Sequence, residues 1–464
     1  MNIEKSIDRF TALLGNGRVL TAAHDIEPYS RDESVLEPSG PACVLYPKTA
    51  EEVSGIAAIA GEESFPLTPR GGGTGLTGGA IPLRGGAVVS FEKMDRIVDI
   101  DEADNMAVVE PGVINGVLQR EAEGRGLFYP VNPASMDSCT IGGNVATAAG
   151  GANAVRYGTT RNYVCGLSAV LADSSRISLG GRVYKNVTDD KMIHAFIGSE
   201  GILAMISEVT LKLLPMPVLT VDLVGSFQDF ESVSVAARAI LSGGRPPAMV
   251  ELIDHKAMAI TEKYLDKPLP FPNAPVSMMV RVDGFDGDVV SSEYERIGEI
   301  MLESGADDVL VAEEESERER LWEARSSVHD ALAHVAGIVS NEDVVVPRSA
   351  ISALLAGLRS ICGRLDVPYT AFGHLGDGNI HVNFLKEGRD DEAIRSAVRL
   401  AIGELFELVV SLGGKISGEH GIGVTKRAYL QRSVDPAYIE FMKGLKKMLD
   451  PGNILNPGKI LDIG

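Results

Sequence analysis

The chain has 464 residues, room for two or three domains, and its 45% hydrophobic and 23% charged content is ordinary for a soluble globular protein. Lys plus Arg number 43 against 64 Asp plus Glu, and the resulting net charge of −21 repels phosphate backbones and anionic lipid surfaces, which argues against nucleic-acid or membrane-surface binding. No apolar run approaches the ~18 to 20 residues of a membrane-spanning helix, and the opening MNIEKSIDRFTALLGNG lacks the apolar core of a secretory signal. The expectation is therefore a cytoplasmic protein, peripheral to a membrane only through a partner subunit.

Elements follow in chain order. Thr49 to Glu52 reads as a capping box, with Val53, Ile56, Ala57 and Ala60 behind it at helical spacing. Then come LTPR, a glycine tract at 71–79 and a strand-like GAVVSF ending at Phe91. A second glycine-rich stretch runs over 140–151, and strand-like segments at 167–172 and 207–215 precede Pro215 and Pro217, a plausible boundary. Beyond it, helical patterns at 229–242 and 289–304 alternate with short strands such as 276–282, the pattern of helices on an antiparallel sheet. The charged run from Glu313 to Arg320 reads as a solvated helix face. Residues 391–412 predict an amphipathic helix, with Ile394, Val398, Ala401, Leu405, Leu408 and Leu412 on one face and Gly413 as its stop.

Cys43, Cys139, Cys165 and Cys362 are few and widely spaced, with no C-x-x-C pair. Neither an iron–sulfur cluster nor a thiolate zinc site finds its ligands here. The 51 glycines, about 11% of the chain against the usual 7% or so, are clustered. Gly73 to Gly78 matches G-x-G-x-x-G letter for letter, but the GAIPLRGG that follows is no helix, and the dinucleotide pocket of that motif needs one to start inside it. A tight glycine loop can instead form an anion-binding nest of backbone N–H groups, with Arg70 adding charge at its entrance. The second tract, PASMDSCTIGGNVATAAGGA at 133–152, offers another set of backbone donors. Two tracts suit an extended diphosphate ligand; the bland alternative is two glycine-rich connections.

PRGGGTGLTGG, NPASMDSCTIGGNVATAAGG, RYGTTRNYV and GSEG together resemble the FAD domain of the vanillyl-alcohol oxidase superfamily. Within it the chain is similar, over nearly its whole length, to the glycolate oxidase/D-lactate dehydrogenase branch that oxidises D-2-hydroxy acids. By that resemblance Arg70, Gly71, Gly72, Gly73, Thr74, Gly75 and Leu76 wrap the FAD pyrophosphate. Pro133, Ser135, Thr140, Gly142, Gly143, Val145 and Ala146 line flavin and diphosphate, and Glu200, Gly201 and Ile206 lie near the adenine side. No histidine stands in the first tract, so non-covalent FAD is expected. The chain departs from the family pattern at Ala148-Ala149, at Asp189-Asp190-Lys191 and at Ala204.

Residues 373–384 read GHLGDGNIHVNF. From Asn379 the pattern alternates, turning Ile380, Val382 and Phe384 one way and His381 and Asn383 the other, beside a glycine-rich turn carrying His374. The helix at 391–412 then returns the chain to Gly418-Glu419-His420-Gly421. Two imidazoles and a carboxylate suit Zn, Fe or Mn with positions left open, and such a cation lowers the cost of deprotonating a weakly acidic hydroxyl. His420 can then accept that proton. The resemblance implies the same assignment: His374, His381 and Glu419 as metal ligands, His420 as base, Asn383 near the substrate. It also matches Arg325, in LWEARSSVHDA, to the arginine that binds the substrate carboxylate, and Asn456, in ILNPGK, to a contact of the tail returning to the flavin. Lys426 is a further candidate for the site. Relatives specific for 2-hydroxyglutarate carry a lysine near the positions held here by Ser340, Asn341 and Glu342, which favours a monocarboxylate.

The expected fold is α+β: a two-part FAD-binding domain of the vanillyl-alcohol oxidase type over 1–215, a cap domain with antiparallel sheet and helices over 216–449, and a tail at 450–464 returning to the FAD domain. The expected function is FAD-dependent oxidation of a D-2-hydroxy acid, lactate or glycolate, to the 2-oxo acid. The alternatives are a D-2-hydroxyglutarate dehydrogenase and a flavin-binding electron-relay subunit without its own catalysis. Lacking cluster-binding cysteines, the chain needs a separate acceptor: an electron-transfer flavoprotein, an iron–sulfur subunit, a cytochrome or a quinone. A homodimer is compatible with the sequence.

Overall fold

Short β-branched strands punctuated by glycine build the first part of the chain, and the computed structural model describes residues 2–389, 391–461 and 463. Contacts divide these into two units: 1–149, 159–216 and 419–464 form the first, 150–158 and 217–418 the second. The change at 216–217 falls beside the prolines. Residues 419–449, expected with the cap, group with the first unit, which therefore contains Glu419, His420 and Lys426.

In the first unit, β1 (Val19–Leu20), β2 (Cys43–Leu45), β3 (Leu67–Arg70) and β4 (Ala87–Ser90) form a sheet of order β1-β2-β4-β3. The pairs β2–β4 and β3–β4 are parallel, which needs long crossovers. One is the helix Ala50–Glu63, capped by Thr49 Oγ1 accepting from Glu52 N, which buries Val53, Ile56, Ala57, Ile59 and Ala60. Its apolar face shares a core with Phe10, Phe65, Val89 and Leu455. The other crossover is the glycine tract itself: no helix forms among residues 71–86. A second, five-stranded antiparallel sheet has the order β5-β6-β10-β8-β9, from β5 (Ile97–Asp101), β6 (Met106–Val109), β8 (Val164–Val170), β9 (Arg176–Gly180) and β10 (Met205–Lys212). The predicted strand at 207–215 is thus two, since β11 (Leu214–Pro215) leaves the sheet to pair with β7 (Leu127–Phe128).

The second unit is one seven-stranded antiparallel sheet, order β15-β12-β14-β13-β17-β18-β16, with helices against it. Its strands are β12 (Leu219–Phe227), β13 (Met249–Asp254), β14 (Val276–Gly284), β15 (Ala306–Ala312), β16 (Ile338–Val345), β17 (Tyr369–His374) and β18 (Asn379–Leu385). The amphipathic helix runs Glu392–Ser411, capped by the Asp391 side chain, and Gly413 beyond it has φ +78°. The charged run begins the helix Glu315–Ser326, whose far end carries Arg325. Among the described residues no helix is long and apolar enough to cross a membrane.

The tail at 450–461 is bound into the first unit. Leu455 bridges to Leu67 at the edge of β3, and Leu67 N donates to Ile454 O at 2.7 Å. Asp450, 1% exposed, accepts from Lys446 Nζ and from the backbone of Ile454 and Leu455, while Lys446 also donates to Ile202 O and Leu455 O. Removing one partner of such a pair leaves a buried charge uncompensated. Asp450→Ala is expected to lower the unfolding free energy by about 3–5 kcal/mol, read from urea denaturation; a loss under about 1 kcal/mol would show that the pair is not needed to hold the tail.

Candidate active site

The first unit brings the two glycine tracts together. β3 ends at Arg70, and the loop that follows lies against the start of the helix Ile141–Thr147. A Cβ on Gly71 would stand 2.2 Å from Thr140 Oγ1, and one on Gly72 2.1 Å from Ser138 O, so only glycine fits where the tracts touch. Gly73 has φ +74°, and a Cβ there would meet the Arg70 guanidinium at 2.1 Å. That guanidinium donates to Arg31 O at 2.6 Å and lies over the Tyr29 ring, so Arg70 clamps the loop entrance. Gly71 and Gly73 to Leu76 are half-buried and Gly72 is exposed, as are parts of 133–146, where Pro133, Ser135, Gly142, Gly143 and Ala146 are half-buried while Thr140 and Val145 are buried. A partly open, glycine-rich lining with no room for a side chain at Gly71 or Gly72 fits an extended diphosphate such as that of FAD.

Glu200, Gly201, Ile206 and Asn456 lie deeper, all buried. The Glu200 carboxylate, expected on the adenine side, accepts from Ile422 N at 2.7 Å and Gly423 N at 2.8 Å, two residues beyond His420. Thr77 Oγ1 donates to His420 O at 3.3 Å, and Val424 N donates to Thr77 O at 2.7 Å. Asn456 Nδ2 donates to both Glu200 O and Gly79 O. The first glycine loop, the 420–424 segment and the tail are therefore tied to one another through Glu200, Thr77 and Asn456. Lys426, 1% exposed, immediately precedes the helix Arg427–Ser433.

In the second unit, one face of the sheet carries the polar residues. The β17–β18 register pairs His374 with Asn379, Phe372 with His381 and Thr370 with Asn383; β16 sets Asp343 opposite His381 and Asn341 opposite Asn383. His374 is the last residue of β17 rather than part of the glycine turn, and that strand position fixes its ring. His374 Nε2 lies 3.4 Å from His381 Nε2, with both side chains buried. Two imidazole nitrogens sharing a cation at 2.0–2.1 Å with a tetrahedral angle stand about 3.4 Å apart, so the pair fits a divalent metal. His374 Nδ1 is 2.7 Å from Glu251 Oε1. Arg325, 5% exposed, donates from Nε to Glu251 Oε2 at 2.7 Å, brings Nη2 to 2.5 Å of the same oxygen, and lies over the Phe372 ring. Burial alone would push the Glu251 carboxyl up, but Arg325 and His374 outweigh it and hold it below the ordinary carboxylate range. Asp343 accepts from Asn379 Nδ2 at 2.6 Å and from Ser417 Oγ and Gly418 N at 2.9 Å, anchoring the chain one residue before Glu419. Asn383 is fully buried, and neither atom of its amide has a hydrogen-bond partner among the described residues. An orphaned buried amide costs free energy unless a ligand satisfies it.

Residues 41–180 match the FAD binding domain family, and residues 219–460, more than half the chain, match the family described as FAD linked oxidases, C-terminal domain. The chain belongs to the FAD-linked oxidases. This FAD-linked oxidase is 37% identical to the glycolate oxidase subunit GlcD of Bacillus subtilis over 93% of its own length and 91% of that protein. It is 32% identical to a D-lactate dehydrogenase of Anaerostipes hadrus (96% and 94% covered) and 34% identical to a D-2-hydroxyglutarate dehydrogenase of Stutzerimonas stutzeri (98% of each). A solved p-cresol methylhydroxylase with bound substrate shares its fold, at TM-score 0.82 and 18% identity over 99% of this chain and 97% of that one. The fold is thus of the vanillyl-alcohol oxidase type, as expected.

Sequence reasoning missed Glu251 and Asp343. A charged residue inside the apolar run AMVELI was the available signal for the first; the second sits in a strand too mixed to single it out. Glu200 gives a pH test. Burial raises its carboxyl to about 7, against the opposing pull of the Ile422 and Gly423 N–H groups and of Lys459 and Lys426. A carboxyl raised on folding contributes stability that is complete below its unfolded value near 4.5 and is lost as pH rises through 7. Relative to Glu200→Gln, the apoprotein is therefore expected to lose roughly 3 kcal/mol of unfolding free energy between pH 4.5 and 8. A difference independent of pH would show that Glu200 ionises as an ordinary carboxylate.

Proposed function

We propose that this chain is an FAD-dependent dehydrogenase that oxidises a short D-2-hydroxy acid, lactate or glycolate, to the 2-oxo acid. The observation that carries the reading is the face of the second unit where two Nε2 atoms converge 3.4 Å apart beside a buried arginine and an unsatisfied buried amide. His374 and His381, with Glu419 one residue beyond the Gly418 that Asp343 anchors, would hold a divalent Zn, Fe or Mn. Such a cation, when bound, makes the substrate α-hydroxyl a stronger acid, and non-covalent FAD, when bound in the glycine cradle, takes up the Cα hydrogen as hydride.

The chain's own residues do the rest. Arg325 spends Nε and one Nη2 hydrogen on Glu251, leaving its outer edge as a two-donor fork for the substrate carboxylate. The Asn383 amide supplies a donor and an acceptor to the bound acid. His420, held through its own carbonyl by Thr77, takes the hydroxyl proton as general base. Lys426 serves the same segment. Because the four cysteines are not arranged to bind a cluster, electrons pass to a separate acceptor, an electron-transfer flavoprotein, an iron–sulfur subunit or a quinone; the Bacillus subtilis relative is itself named as a subunit. The Stutzerimonas stutzeri relative favours D-2-hydroxyglutarate as the second substrate reading.

Anaerobic mixing of the FAD-loaded protein with D-lactate, glycolate and D-2-hydroxyglutarate is expected to bleach the flavin with at least one of them. His420→Ala is expected to slow that bleaching by about 10²- to 10⁴-fold with FAD still bound. If none of the acids reduces the flavin, the proposal fails; undiminished reduction in the variant removes His420 from the base role. Chelation is expected to abolish reduction and added Mn²⁺ or Zn²⁺ to restore it, and full activity in verified metal-free protein would defeat the ligand assignment.

A further inference from the structure

We propose that Glu251 is a positioning residue that sets both recognition groups of the site at once, one with each carboxylate oxygen. The inference rests on the hydroxy-acid reading above and deepens it. Oε1 faces His374 Nδ1 at 2.7 Å, while Oε2 takes Arg325 Nε at 2.7 Å. Glu251 itself is fully buried.

Each contact has a chemical consequence. A neutral imidazole carries one proton, and an ionised carboxylate can only accept. Glu251 therefore keeps the proton of His374 on Nδ1 and leaves the Nε2 lone pair directed at His381 Nε2, where a cation would bind. On the other oxygen the guanidinium is fixed by its Nε side and by stacking on Phe372, with the ring centroid 5.0 Å from its carbon. Phe372 packs in turn against His381, ring centroids 5.3 Å apart, which closes a loop of contacts through Glu251, Arg325, Phe372, His381 and His374. In a 2-hydroxy acid the carboxylate and the hydroxyl sit on adjacent carbons. A group that sets the separation between their two binding partners is placed to select that spacing.

Glu251→Gln tests this because a primary amide has one acceptor where the carboxylate has two. If its oxygen turns to Arg325, its NH₂ meets His374 Nδ1 and forces the proton onto Nε2, where it blocks ligation. If the oxygen turns to His374, the NH₂ faces the guanidinium and displaces it. Two readouts follow: Mn²⁺ affinity of the FAD-loaded protein by electron paramagnetic resonance titration without substrate, and KM for D-lactate or glycolate at saturating Mn²⁺. At least one is expected to worsen by about 10- to 100-fold, with FAD content unchanged. Both remaining within about threefold of wild type would overturn the inference. Wild-type protein that neither binds Mn²⁺ nor reduces its flavin would instead overturn the proposed function. Should the variant not fold, ¹⁵N-histidine spectra of the metal-free wild-type protein decide the matter. They are expected to show His374, assigned through His374→Gln, protonated at Nδ1; protonation at Nε2 overturns the inference.

Discussion

Taking a carboxylate out of water costs several kcal/mol, and the candidate site is organised around how two such groups offset that cost. Glu251 is fully buried and Glu200 nearly so. Glu251 has a guanidinium and an imidazole as partners and stays ionised. Glu200 has mainly backbone N–H groups, with lysines contributing less, and burial prevails. The first is a permanent charge that orients two cationic or proton-bearing side chains. The second fixes a backbone, and it titrates near neutrality while doing so. The same side-chain chemistry serves two tasks because its neighbours differ.

Rigidity of the two glycine tracts has a different origin. The two glycine tracts hold each other at their point of contact. Gly71 and Gly72 are held by contact with Thr140 and Ser138, distances at which a single methyl group would force the loops apart. Donors at the ends of other elements then lock the assembly: Thr77 and Asn456 each join the first loop to a segment more than 340 residues away. Preorganised backbone donors of this kind bind a diphosphate without first losing conformational freedom.

The features legible in the sequence were those with a local period or a local composition. Alternation from Asn379 to Phe384 predicts β18 and puts His381 and Asn383 on one face, and an apolar face with a stop at Gly413 predicts the helix seen at Glu392–Ser411. The glycine tracts were legible for the same reason, as was the failure of the G-x-G-x-x-G match, because Pro82 and its neighbours exclude a helix. A glycine on either side of a short segment hides where a strand ends, so the sequence places His374 in the turn, whereas Gly373, with φ +143°, is part of β17.

What was hidden depends on register between distant strands. Glu251 reaches His374 across 123 residues and Arg325 across 74, and neither separation leaves a periodic trace. The same applies to Glu200, which meets Ile422 across 222 residues. A long-range pairing of this sort appears in a single sequence only as an anomaly, a charged residue where the pattern calls for an apolar one. Glu251 between Val250 and Leu252 is such an anomaly, whereas Asp343, preceded by Asn341 and Glu342, is not. Burying a charge without a partner is too costly to persist, so an isolated acid in a central strand implies a cation or a proton donor brought to it from elsewhere in the chain. For Glu251 that reasoning calls for a basic partner among residues far away, and the helix Glu315–Ser326 supplies Arg325 and β17 supplies His374.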